Sequence, residues 1–221
     1  MSAREDILGK IARSRGASAG TAKPVPLRPA LAAKDGAARL AQFCHLALSL
    51  GCTIVPVREM RAVPASLAHA LSEQNLKGDV WLNDEPQLTA LSWQEAGLSI
   101  HSERGNDDLD GVISVTGALA GLAETGAVIM QSSAVHPFAM GLLPDVHVAV
   151  LRTDQIVAGM EDIWPLARKA GGNRLPRALS LVGGPSRTGD IEATLVMGAH
   201  GPRSLQILLV GEEAEAALTP N

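Results

Sequence analysis

The chain has no tyrosine, two phenylalanines and three tryptophans among its 221 residues, so the aromatic platforms on which proteins stack nucleic-acid bases are nearly absent. A net charge of −4 withholds the cationic surface that a phosphate backbone demands. Nucleic acid is therefore excluded as a general partner. Cysteine is almost as scarce. Cys44 and Cys52 stand in no Cys-x-x-Cys arrangement, whereas an iron–sulfur cluster takes four ligands, mostly cysteines at close spacing. The chain cannot hold such a cluster unaided, and a reducing compartment keeps both residues as thiols. No Gly-x-Gly-x-x-Gly run follows a strand, which removes the dinucleotide fingerprint. Apolar runs are broken by glycine or charge well before the length needed to span a bilayer. The opening Met1-Ser2-Ala3-Arg4-Glu5-Asp6-Ile7 carries acids in place of the basic start and apolar stretch of a signal peptide. A cytoplasmic protein without a membrane span is expected.

What the chain does have is a hydrophobic fraction of 46%, arranged as alternating helical and strand-like segments. Ser2 to about Arg13 combines an N-cap residue, early acids and apolar Ile7, Leu8 and Ile11, which predicts a short helix. Residues 14–30 are rich in Gly, Ala, Ser and Pro and read as a flexible tether, so 1–30 is expected to be a helical appendage and 31–221 a single α/β domain. Within that domain, Leu40, Phe43, Cys44, Ala47 and Leu48 repeat at helical spacing up to Gly51. Val63 to Gln74 is a helix with Pro64 at its opening, and Leu88 to Ala96 another. Strands are expected at 52–57, 80–82, 98–100, 112–115, 127–131, 146–150, 180–182 and 205–210. The alternation implies a layered α/β domain with a mostly parallel, buried sheet. The short turn at Gly141 to Pro144 suggests that strands 127–131 and 146–150 form an antiparallel hairpin within it.

Polar residues concentrate in Gly183-Gly184-Pro185-Ser186-Arg187-Thr188-Gly189-Asp190-Ile191-Glu192 and in Ala199-His200-Gly201-Pro202-Arg203. Ile191, Leu195 and Val196 recur at helical spacing beyond the first cluster, so it reads as a strand-to-helix turn whose N–H groups face a phosphate or carboxylate. Asp190 and Glu192 suit the positive end of that helix on their own account, and the segment then serves only as a capped turn. Arg187 is the expected anion partner because its guanidinium presents a planar set of donors. The other outcome is an internal pair with Glu124 or Glu192.

These residues resemble the C-terminal signature of the LUD-domain family, of the lactate utilisation protein C type. Gly117-Ala118-Leu119-Ala120-Gly121-Leu122-Ala123-Glu124-Thr125-Gly126-Ala127-Val128 is similar to the same family's central segment, and Gly189 stands where alanine is expected. The resemblance covers about residues 75 to 211. It implies a Rossmann-like sheet of the sugar-phosphate isomerase and class I CoA transferase type. It also implies a component of a bacterial L-lactate oxidation system that works beside iron–sulfur partner subunits and holds no cofactor of its own. By likeness to the Glu-Asn-Gly setting of CoA transferases, Glu124 is a candidate nucleophilic carboxylate. Thr125, Gly126, Gly184, Ser186, Arg187, Thr188, Asp190, Glu192, His200 and Arg203 are the expected ligand-binding set, sharing one crevice at the carboxyl ends of the strands.

Ser132, Ser133 and His136 follow the apolar strand 127–131 and extend the region of interest to His147. The histidines show no i, i+4 spacing of a preformed metal site, so no metal is expected. Two other functions fit the residues: a stand-alone enzyme acting on an acyl-CoA or a phosphorylated sugar, and a non-catalytic assembly subunit.

Overall fold

A computed structural model describes residues 3–14, 35–101, 112–191, 194–197 and 201–219. The N-terminal helix α1 spans Ala3–Ser14 and buries none of its residues. Most of the expected tether lies outside the described residues. Helix α2 (Gly36–Ser49) starts where the Asp35 carboxylate accepts from the Ala38 N–H at 2.7 Å, a cap worth about 1 kcal/mol. Its apolar stripe, Leu40, Phe43, Cys44 and Ala47, is buried. Strand β1 (Thr53–Val57) follows, then α3 (Val63–Glu73), which buries Val63, Leu67, Ala70 and Leu71.

Strands β2 (Asp79–Leu82), β3 (Ser99–His101) and β4 (Ile113–Gly117) come next, with the short α4 (Pro86–Thr89) between β2 and β3. The expected helix over 88–96 is thus only one turn followed by a 3-10 turn at Gln94–Ala96. Trp93 is buried there and its ring N–H donates to the Leu88 carbonyl at 2.7 Å, folding the segment back on itself. The chain continues through β5 (Ala120–Leu122), β6 (Ala127–Gln131), β7 (Val146–Arg152), β8 (Ile156–Val157), α5 (Ile163–Ala170), β9 (Leu179–Val182), β10 (Arg187–Ile191), β11 (Thr194–Met197) and β12 (Ser204–Val210).

Six strands form one sheet in the order β1-β12-β7-β4-β2-β3, every neighbouring pair parallel. Such a sheet is covered on both faces, which is why β12 and β7 read as near-continuous apolar runs. Leu205, Ile207 and Leu209 pack with α2, while Leu208 and Val210 pack with α3 on the other side. A second sheet, β8-β5-β6-β9, joins α2 on the first face through Val128 and Met130. Its outer face, with Ala120, Leu122 and Ile129, is closed by Ile163 of α5.

Two expectations fail here. Strands β6 and β7 are not a hairpin: β6 pairs antiparallel with β5 and β9 in the small sheet, and β7 lies parallel between β12 and β4. Both are apolar on both faces, so either partner satisfies the pattern, and only the packing of two sheets separates them. The polar segment after Gly184 does not open a helix either. Residues 187–191 and 194–197 pair as an antiparallel hairpin with a register shift between Thr188 and Ile191. The β-branched Thr188, Ile191, Thr194 and Val196 favour that extended pairing over helix.

Candidate functional site

Strands β2 and β4 are neighbours whose chains depart in opposite directions: β2 leads outward to β3, and β4 leads through the small sheet to β7 on its other side. In open α/β sheets, ligands bind outside the carboxyl ends of strands at such a switch point. A crevice of about 560 Å³ lies there, lined among others by Glu85, Gln87, Gln131, Ser133, His136 and Gln155.

At its floor is a buried pair. Glu85 immediately precedes Pro86 at the start of α4, and its Oε1 accepts from the Gly117 N–H at 2.9 Å, from His136 Nδ1 at 3.0 Å and from Asn83 Nδ2 at 3.4 Å. Gln87 Nε2 donates to Oε2 at 3.1 Å. The two side chains are only 14% and 8% exposed. Burial pushes the Glu85 carboxyl up, but the His136 hydrogen bond, the Gly117 N–H, the His136 charge and Asn83 together hold it below the usual carboxylate range. Gly117 is required sterically, because a Cβ there would collide with the Glu85 carboxylate.

Behind this pair, on β7, His147 is fully buried and shares a 2.8 Å hydrogen bond with Thr116 Oγ1 through its Nε2. Burial, reinforced by the His136 charge, lowers its pKa to about 3, so the ring is neutral. Ser114, its register neighbour on β4, donates to the Met140 carbonyl at 2.6 Å. Among the described residues, Asn83 Oδ1, Gln131 Oε1 and His147 Nδ1 are enclosed around this region without a hydrogen-bond partner.

The residues expected from the sequence fall elsewhere. Thr125 and Gly126 form the β5–β6 turn, at the end of β6 opposite Gln131, which puts them roughly 16 Å from the crevice end at about 3.3 Å per residue. Glu124 Oε1 accepts from the Met160 N–H at 2.8 Å, and Thr125 Oγ1 accepts from the Ala127 N–H at 3.2 Å. Gly126 has φ 77°, and a Cβ there would strike the backbone of Leu46 and Ala47 in α2. Gly184 has φ 140°, and its Cβ would strike the Leu50 carbonyl one turn along the same helix. The two motif glycines therefore come together, as docking points for α2.

Ser186 N–H donates to the Pro202 carbonyl at 2.7 Å, and Arg203 pairs with Asp145 at 3.4 Å. Thr188 and Asp190 are in β10. Glu192 and His200 lie outside the described residues. Sequence reasoning singled out Ser133 and His136 but missed Glu85, which stands 51 residues earlier. The available signal was Asn83-Asp84-Glu85-Pro86, a polar run directly after an apolar strand.

Arg187 lies over the carboxyl end of α2. A Cβ on Gly51 would collide with its guanidinium, and its charge partly offsets the burial that raises the Cys52 thiol to about 11. A cation there complements the negative end of the helix dipole. Arg187→Ala is expected to lower stability by about 0.3–1 kcal/mol, read from urea unfolding. An unchanged midpoint would remove the capping role. Cys44 is also buried, with its thiol pushed up to about 11 by that burial, so neither cysteine is a thiolate at neutral pH. Among the described residues, no group of three or more His, Cys, Asp or Glu side chains is arranged to hold a metal ion. No described helix is long and apolar enough to cross a membrane.

A family model described as the LUD domain matches residues 52–210. The chain is 37% identical over 131 residues to a protein of Deinococcus radiodurans called lactate utilization protein C, covering 59% of this chain and 54% of that one. It is 32% identical over 134 residues to the Bacillus subtilis protein of the same name, covering 57% and 56%. These alignments thus span about half the length of each relative. The Escherichia coli protein YkgG, whose name calls it uncharacterized, is 26% identical over 180 residues and is matched over 77% of its length. A crystal structure of a DUF162 family protein from Deinococcus radiodurans superposes with a TM-score of 0.59 at 24% identity, covering 81% of this chain and all of that one.

Proposed function

Because this chain belongs to the LUD-domain family, we propose that it is a component of a bacterial L-lactate utilisation system, acting in the cytoplasm with iron–sulfur partner subunits. The names of the Deinococcus and Bacillus relatives support the pathway. The chain's own two cysteines, both buried and protonated, support assigning the clusters to partners. Its part in that system is to hold a small anion in the crevice at the carboxyl ends of β2 and β4. One observation carries this: a buried carboxylate–imidazole pair, Glu85 and His136, stands in a cleft at the switch point of the sheet. The hairpin from Arg187 and the turn at Gly184 to Ser186 lie apart from that cleft and are proposed as the surface that meets a partner subunit.

The test is genetic and biochemical. Deleting the gene in its host is expected to abolish growth on L-lactate while sparing growth on pyruvate, with the intact gene restoring it. The purified chain alone is expected to show no lactate oxidation. Growth on lactate without the gene would overturn the pathway assignment. Lactate oxidation by the isolated chain would favour a stand-alone enzyme.

A further inference from the structure

Charge is unevenly spread along this chain. From Ile163 to Gly189 there are five basic residues, Arg168, Lys169, Arg174, Arg177 and Arg187, and no acid, a stretch of net +5 in a chain of net −4. All five are exposed, and none takes part in an ion pair among the described residues. Arg168 and Lys169 complete the last turn of α5, and Arg187 lies over the end of α2, where cations suit the helix dipole. Arg174 and Arg177 end no helix. They flank exposed Leu175 and lead directly into β9.

Strand β9 is an edge. Among the described strands it pairs with β6 alone. The Ser132 N–H donates to the Ala178 carbonyl at 3.0 Å, and the Ile129 carbonyl turns away to accept from the Leu119 N–H at 2.8 Å. Alternation along an antiparallel ladder then gives the hydrogen bonds with β6 to Ser180 and Val182, and directs the N–H and C=O groups of Leu179 and Leu181 out of the sheet edge. Native edges are blunted by proline, charge or a bulge within the strand. Leu179-Ser180-Leu181-Val182 carries no proline or charge and pairs without a register shift. Leu181 stands opposite Ile129 on the face that α5 closes, yet it is 44% exposed. Leu179 stands opposite Gln131, so the edge runs from the crevice end to the Gly183–Gly184 turn.

We infer that this edge takes an extended acidic segment of a partner protein as a fifth strand of the four-stranded small sheet. The backbone of that segment fills the donors and acceptors of Leu179 and Leu181, an apolar side chain covers Leu181, and carboxylates meet Arg174 and Arg177. A second copy presenting the same edge would bring the same arginines together, and like charges oppose that pairing. An anionic lipid surface matches the charge but not the alternating donors and acceptors of a strand edge. The inference rests on the partner-surface reading above, with which the edge is continuous through Gly183 and Gly184, and not on the lactate reading.

Fluorescence anisotropy of the full chain with a short, blocked, labelled peptide of alternating valine and glutamate tests it. Saturable binding is expected at low salt, weakening as added salt shortens the reach of the charges. The double variant Arg174→Glu, Arg177→Glu should weaken binding at least about tenfold, since two attractions become repulsions. A peptide N-methylated at every second residue loses its donors on one edge and should not bind. Residue-resolved amide exchange of the wild-type chain gives the location without any variant: the peptide should slow Leu179 and Leu181 and leave Ser180 and Val182, already bonded to β6, unchanged. Equal binding of a valine–lysine peptide or of the N-methylated one, unchanged exchange at Leu179 and Leu181, or no binding overturns the inference. So does attachment to phosphatidylserine vesicles without peptide binding, which makes the surface a membrane one, or protection of these amides in the concentrated chain alone, which makes the occupant a second copy. Growth on lactate without the gene would remove the pathway and leave the peptide result standing.

Discussion

Acidification is expected to destabilise this chain through His147 well before most carboxylates titrate. The ring is buried beside Thr116 and its pKa is lowered from 6.5 to about 3. In the unfolded chain it binds a proton below pH 6.5, whereas the folded chain refuses that proton until about pH 3. Stability from this group is therefore fully present above the unfolded value and is lost as pH falls through that window, by up to about 1.4 kcal/mol per pH unit. Glu85 acts in the same direction over a lower range. Its folded pKa lies below 4.5, so its contribution is present above 4.5 and disappears as pH falls through the folded value. Urea unfolding of wild type and His147→Gln across this range separates the two groups, since glutamine keeps a polar group near Thr116 and cannot take the proton. The variant should show a shallower loss between pH 6.5 and 4.5, and parallel curves would show that His147 is not the sensor.

Gly126→Ala is expected to cost roughly 2–5 kcal/mol, a large part of the 5–15 kcal/mol that holds a typical domain together. Two costs add. At φ 77° an L side chain meets its own backbone, worth roughly 1–2 kcal/mol. The new Cβ also strikes the Ala47 nitrogen and the Leu46 carbonyl carbon, which no rotamer change relieves, and overpacking of this kind costs about 1–3 kcal/mol. Gly97 provides the comparison, because it has the same φ of 77° with nothing within 4 Å of a built Cβ. Alanine there should cost only the strain. Equal losses at the two positions in chemical denaturation would mean that the approach of the β5–β6 turn to α2 contributes nothing.

Much of the architecture was legible because its signals are local. The apolar runs of β1, β6, β7 and β12 and the stripe of α2 announce themselves by period and length, and Pro64 marks where α3 begins. Strands β5 and β8, with three and two residues, are too short to show a period, and α5 was not foreseen. The segment 187–197 misled because Ile191, Leu195 and Val196 suit helical spacing, while hairpin pairing is settled by a partner strand rather than by spacing.

By itself the sequence determined the class of fold, the family and the inability of two cysteines to hold a cluster, since each depends on residue types and their order along the chain. Only the tertiary structure decided what the motif residues do. Gly126 and Gly184 stood out in a signature that read as an anion cradle, yet both are placed where the backbone of α2 comes too close for any Cβ. Glu85 and His136 carried no motif, being 51 positions apart, and a 3.0 Å hydrogen bond makes them one buried pair. The reason is the same in both cases: chemistry depends on distance and solvent exclusion, and these are set by which strands become neighbours, a choice that the many near-equivalent apolar faces of this chain leave to packing of the whole.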